Sequence, residues 1–336
     1  MRALSLIAAR QFEFIDQPEP SSPGPGEAIV RVHAVGVCGT DISGYLGKMP
    51  FIQFPRILGH ELGVEVVATG EGVTNVAVGA RCSVEPYLNC GTCPPCVAGR
   101  TNCCEVLEVL GVHCEGGLRP YIQVPARKLH PANDLAYDQL ALVETLAIGC
   151  HAVNRGAPKA DESVLVIGAG PIGLSVIEFV RLTGARLHVV EPNAARRAFV
   201  QSNHGLDSVH EPLDAEAFAW ANGGRGADVI FDATGHPASM SCCTQYAAFG
   251  ARLVFVGITS EPVTLNDPLF HRRELSLMAT RNAVPADFMR ILGLIRDGRI
   301  QTSPWITHRA RFEDVPATFG GWLRPDSGVV KAMIGM

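Results

Sequence analysis

The chain lacks any surplus of positive charge: among 336 residues, 28 Lys and Arg stand against 33 Asp and Glu, a formal net charge of −5. A mildly acidic chain has no general attraction for polyanions, which excludes nucleic acid and acidic membrane surfaces as main partners. Long hydrophobic runs are also missing. The charge-free apolar stretch 164–177 is broken by Gly168, Gly170, Pro171 and Gly173, and it falls short of the roughly 18 residues that a membrane helix needs. Residues 1–14 carry Arg2, Arg10 and Glu13 around a short apolar stretch, without the long apolar core and small-residue cleavage site of a secretory signal. No membrane association and a cytoplasmic location are therefore expected. There is no internal repeat and no low-complexity linker. With 47% hydrophobic and 18% charged residues, the disordered, collagen-like and coiled-coil classes are excluded as well.

The chain is rich in glycine, with 35, and in cysteine, with 11. Its length suggests two domains at about 150 residues each, and cores of that size need no disulfide staples. Metal ligation or redox chemistry is the better first reading of the cysteines. Up to about residue 130, Gly and Pro punctuate short β-branched runs at 28–34 (AIVRVHA), 63–68 (GVEVVA) and 81–84, the pattern of an irregular barrel. The period then changes. A helix is expected over 142–152, and strands at 164–168, 187–191, 229–233 and 252–257 alternate with helical segments, the signature of a parallel sheet covered on both faces. A helix over 287–296 and short strands at 305–309 and 329–334 follow. The predicted fold class is α/β, a doubly wound Rossmann sheet (146–282) inserted into a mainly β barrel domain formed by 1–145 and 283–336.

The sequence GAGPIG at 168–173 follows a predicted strand and opens a predicted helix. Gly168, Gly170 and Gly173 allow a tight turn and close approach to a pyrophosphate, with Pro171 and Ile172 starting the helix whose amides would receive it. Glu191 ends the next strand, 18 residues after Gly173, where an acid accepts hydrogen bonds from ribose hydroxyls and repels a 2′-phosphate. NAD is therefore expected over NADP, a preference that the nearby Arg196 and Arg197 temper. Thr234, Val256 and Gly257 lie at later strand ends, where the nicotinamide half would meet the sheet.

Two metal constellations stand out. Cys90, Cys93, Cys96 and Cys104 are spaced C-x2-C-x2-C-x7-C on a Gly/Pro-rich loop, and four thiolates with no position left for water describe a structural zinc site. An iron–sulfur cluster and disulfides are the other readings, the first weakened by the missing ferredoxin-type continuation. The second set is dispersed: Cys38 in VCGTD, His60 and Glu61 in GHE, and Glu144 in LVET. Singly each is more often structural, but jointly they offer the mixed S/N/O ligation of catalytic zinc. Asp41 is placed to accept the second ring N–H of His60.

The order of these motifs, from the Cys38 loop through GHE, the four-cysteine lobe, ETLAIGCHA and GAGPIG, resembles the zinc-dependent medium-chain dehydrogenases over essentially the whole chain. Glu61 and Glu144 are similar to the sorbitol and threonine dehydrogenase branch. The resemblance implies a GroES-like barrel with a Rossmann domain, two zinc ions per subunit, NAD, and a dimeric or tetrameric assembly in which the strand at 274–280 is a plausible pairing edge. It implies alcohol oxidation with zinc as Lewis acid and hydride transfer to nicotinamide. Cys38, His60 and Glu61 would ligate the catalytic zinc, Glu144 would be a fourth ligand, either water-mediated or exchangeable, and Thr40 would take the hydroxyl proton. Ser43 departs from the pattern, standing where many relatives carry a relay histidine. The stretches 110–117, 273–282 and 306–309 look similar to bacterial dehydrogenases of gulonate, galactonate or idonate. Arg281 matches an arginine of the substrate cleft; Asn282, Arg119 and His113 are weaker candidates. The expected substrate is a polyol or sugar acid, with threonine-type oxidation and a non-catalytic NAD-responsive protein as the other readings.

Overall fold

The computed structural model describes residues 1–336 apart from Pro325. The chain forms two compact units, Met1–Glu144 with Val284–Met336, and Thr145–Ala283. Among the described residues, no helix is long and apolar enough to cross a membrane.

In the first unit, β-branched residues at alternate positions build a curved sheet. Its order is Leu129–Pro131, Arg81–Val84, Glu61–Thr69, Glu27–Gly36, Lys331–Gly335, Ile306–Arg311, and Tyr121–Pro125 also pairs with Glu27–Gly36. The pairings are antiparallel except for that of Lys331–Gly335 with Ile306–Arg311. Val30, Val32, Val64, Val66, Ile122 and Val124 fill its core. The register Gly36↔Glu61 places the ends of the two longest strands side by side, and the functional side chains leave from there. The strands predicted at 28–34 and 63–68 extend by one or two residues at each end, because pairing with neighbours recruits flanking residues of poor intrinsic preference such as Glu27 and Gly36.

The second unit is a six-stranded parallel sheet, ordered Val209–His210, Arg186–Val190, Ser163–Ile167, Ala227–Asp232, Ala247–Phe255, Ser276–Ala279. Its central strand Ser163–Ile167 is buried at every position, as expected for a sheet covered on both faces. The helix predicted over 142–152 spans Tyr137–Gly156. Its longer start follows from Tyr137, whose ring stacks on His33 at 4.0 Å.

Candidate active site

The dispersed set is assembled by backbone geometry. Cys38 lies just beyond the strand Glu27–Gly36 and caps the helix Gly39–Tyr45, and its N–H donates to Asp41 Oδ2 at 2.9 Å. His60 and Glu61 open the adjacent strand Glu61–Thr69 and are 4% and 0% exposed. One donor atom from each of Cys38, His60 and Glu61 lies within 4.8 Å of the other two. His60 Nδ1 and Asp41 Oδ1 face each other at 3.7 Å, longer than a hydrogen bond, and both are buried without a hydrogen-bond partner. Burial opposes a charge on His60, but Asp41 and Cys38 outweigh it and raise its pKa well above the ordinary value. A half-buried thiol converging with a buried imidazole and a buried carboxylate fits a zinc ion with an open fourth position.

Two residues at this site escaped the sequence reading. Lys331, 1% exposed, donates to Glu61 Oε1 at 2.6 Å and Oε2 at 2.8 Å, and to the Val37 carbonyl at 3.2 Å. Burial pulls the Lys331 pKa down, and Glu61 with Cys38 more than reverses this, so the net shift is upward. The available signal was a single lysine inside the apolar stretch at 329–334 (VVKAMI), since a buried charge demands a partner. The other is Tyr87, 2% exposed, whose hydroxyl donates to Glu144 Oε1. Burial raises the Glu144 pKa, and Glu61 adds to this against His60. The compact donor group holds Cys38, His60 and Glu61, and Glu144 is not among its members. Thr40 and Ser43 lie half-buried in the helix Gly39–Tyr45.

The four lobe cysteines also converge, with every sulfur of Cys90, Cys93, Cys96 and Cys104 within 4.8 Å of the others. Amide donors aim at them: Thr92 N–H at Cys90 Sγ (3.4 Å), Cys90 N–H at Cys104 Sγ (3.3 Å) and Asn89 Nδ2 at Cys96 Sγ (3.5 Å). The Thr92 amide, with its side chain and the Cys93 amide, draws the Cys90 thiol down to about 6. Four sulfurs that converge in this way suit a closed tetrahedral zinc site. Of the six remaining cysteines, Cys82, Cys150 and Cys243 are buried, Cys114 is half-buried, and Cys103 and Cys242 are exposed.

The glycine loop joins the strand Ser163–Ile167 to the helix Pro171–Arg181. Gly168 has φ of 91°, and a Cβ on Gly173 would lie 1.9 Å from the Gly168 carbonyl oxygen, so the turn closes only without side chains there. Pro171 and Ile172 are half-buried at the helix start, whose amides suit a pyrophosphate. Glu191 is 3% exposed, and its carboxylate accepts from Ala169 N–H at 2.7 Å and Asn193 N–H at 2.8 Å. Arg196 Nη1 lies 4.0 Å from it. Arg197 is turned to the carbonyls of Glu191 and Pro192 and to Glu211. Thr234 is pinned by its N–H and hydroxyl to Asp232 Oδ1 at 2.9 and 2.6 Å, and the Val256 and Gly257 amides donate to the Asp232 carbonyl.

The substrate candidates belong to both units, Arg281 and Asn282 to the second and Arg119 and His113 to the first. Arg281 is exposed, and Asn282 sits at φ of 51° with a buried Nδ2 lacking a hydrogen-bond partner. The Arg119 guanidinium donates to the Gly116 and Glu115 carbonyls and to Gln17, closing its own loop. His113 accepts from the Val109 amide at 3.1 Å and lies 6.0 Å from the Phe51 ring.

Comparison with known proteins follows this geometry. Residues 24–134 match the alcohol dehydrogenase GroES-like domain and residues 171–297 match the zinc-binding dehydrogenase family. The chain is 39% identical over 333 residues to L-galactonate-5-dehydrogenase of Escherichia coli K12, covering 98% of both chains. It is 35% identical to 2-dehydro-3-deoxy-L-galactonate 5-dehydrogenase of Pseudoalteromonas atlantica, covering 95% of this chain and 94% of that one. Among solved structures, the alcohol dehydrogenase RspB of E. coli CFT073, complexed with NADH, superposes with a TM-score of 0.93 at 28% identity, covering 100% of this chain and 99% of that one. The chain belongs to the zinc-binding dehydrogenases, as an NAD-dependent, zinc-containing oxidoreductase related to those of sugar acids and polyols.

Proposed function

We propose that the enzyme oxidises a secondary alcohol of a sugar acid, a hexonate such as galactonate, gulonate or idonate, with NAD as acceptor. The observation that carries the chemistry is the convergence of Cys38, His60 and Glu61; the likeness to two galactonate-type 5-dehydrogenases supports the substrate class. When bound there, zinc supplies Lewis-acid polarisation of the substrate hydroxyl, and NAD supplies the hydride acceptor. The chain's residues do the rest. Asp41 fixes Cys38 through its backbone N–H and faces the His60 ring. Lys331 holds both oxygens of the buried Glu61 carboxylate through two hydrogen bonds. Thr40 is the group proposed to take the hydroxyl proton.

Support for NAD over NADP comes from Glu191, a buried carboxylate at the strand end that would repel a 2′-phosphate. Arg197, committed to backbone carbonyls and Glu211, offers such a phosphate no free cation. The four-cysteine lobe is proposed to hold a second, structural zinc.

The test is a screen of NAD and NADP reduction over hexonates, hexitols, pentitols and threonine. Turnover of a hexonate with NAD at the highest kcat/KM is expected. Turnover of threonine without activity on hexonates or polyols would replace this reading with amino-alcohol oxidation.

A further inference from the structure

Glu144 is a carboxylate of a different kind from Glu61. It is 4% exposed and stands outside the compact donor group of Cys38, His60 and Glu61. Its Oε1 instead accepts the Tyr87 hydroxyl. Carboxylates that stay out of a nearby metal's shell are commonly held by an outer-shell donor.

The phenol is firmly placed. Tyr87 and Leu88 pair with Val109 and Glu108, so this short strand closes the base of the four-cysteine lobe. Three residues on is Cys90, and between them Asn89 donates to Cys96 Sγ and receives Arg127 on both its side-chain and backbone oxygens at 2.7 and 2.6 Å. On its other side the Tyr87 ring meets Phe288 edge-on at 6.2 Å. The hydroxyl therefore has a fixed position, set by the lobe, from which it restrains Glu144.

We infer that Tyr87 is a positioning residue, whose hydroxyl holds the Glu144 carboxylate outside the donor set of Cys38, His60 and Glu61 and so keeps the fourth position open for substrate. This rests on the zinc reading of that donor set. Without the hydroxyl, Glu144 has no competing donor of this kind and becomes a fourth protein ligand.

Cobalt(II) substitution of the intact enzyme tests this, because its visible ligand-field bands report coordination. Four proteins are compared: wild type, Tyr87→Phe, Glu144→Gln and the double variant, with Cys38→Ser marking the bands that belong to this site. In Tyr87→Phe we expect altered ligand-field bands, loss of metal to a chelator slowed about 10-fold, the scale of outer-shell effects, and reduced kcat. Glu144→Gln should keep the wild-type bands, and the double variant should return to them. Wild-type bands in Tyr87→Phe, with or without a lower unfolding temperature, would overturn the proposal and leave the zinc reading standing. So would an altered spectrum that persists in the double variant. Absence of any Cys38-dependent band in the wild type would overturn both.

Discussion

Replacing Gly36 by alanine isolates the packing of the donor set. Gly36 lies opposite Glu61 in the strand register, and its φ is not in the left-handed region, so alanine meets no backbone strain. A Cβ there would lie 2.0 Å from Glu61 Oε2 and about 3 Å from its Cβ and Cδ, where ordinary contact begins near 3.4 Å. The carboxylate must move by about 1.4 Å, the difference between those contacts. Such a shift would be cheap for a free side chain, but Lys331 holds both oxygens at 2.6 and 2.8 Å. Moving Glu61 breaks at least one of these bonds and removes an oxygen from the ligand set. Breaking a buried ion pair costs about 3–5 kcal/mol, which lowers the unfolding temperature by about 4–7 °C in a chain of this size. Metal analysis should find zinc reduced at this site, and calorimetry should find the lower midpoint. Gly39→Ala is the control, since nothing lies within 4 Å of its Cβ, and it should change neither quantity. Wild-type zinc content and midpoint in Gly36→Ala would refute the argument that Glu61 is clamped between Lys331 and the metal site.

Glu191→Gln should lower kcat/KM for NAD by at least about 10-fold and raise relative use of NADP, on the scale of one charged hydrogen bond; an unchanged NAD/NADP ratio removes Glu191 from ribose recognition. Cys93→Ser should lose lobe zinc and unfold at lower temperature, because structural zinc binding is folding free energy; undiminished thermal stability contradicts this. His204 is buried, with Nδ1 3.3 Å from Arg181 and Nε2 unpartnered, and burial with the Arg181 charge lowers its pKa from 6.5 to about 4. The folded state thus keeps it neutral where the unfolded chain takes up a proton, so stability falls as pH drops from 6.5 toward 4, by about 2 kcal/mol between pH 7 and pH 5. Denaturation of His204→Asn at the two pH values should show a shallower dependence, and an equal loss would exclude His204 as a source.

The longer strands, such as Glu27–Gly36, Glu61–Thr69, Ser163–Ile167 and Ala227–Asp232, were legible because each carries its own period or apolar run, and the helix Pro285–Arg296 because of its apolar face, whereas Arg2–Ala8, Gln11–Asp16, Tyr121–Pro125, Leu129–Pro131 and Val209–His210 went unread. Their ends were less so. The strand expected at 252–257 begins at Ala247 and ends at Phe255, since its pairing partner, and not local preference, sets its length. The Asp41 placement beside His60 was legible from chemistry, but its 3.7 Å separation was not. Lys331 and Tyr87 went unread because their partners, Glu61 and Glu144, are 270 and 57 positions away.

The sequence alone determined the chemistry on offer: four thiols at short spacing, a glycine turn between strand and helix, an acid 18 residues beyond it, and the residue types of a mixed-ligand zinc site. These are local patterns, written in spacing and readable without coordinates. Tertiary structure decided which donors converge and which are restrained, because that depends on strands brought side by side from opposite ends of the chain. Only there does Lys331 meet Glu61, Gly36 leave room for the Glu61 carboxylate, and the Tyr87 hydroxyl meet Glu144.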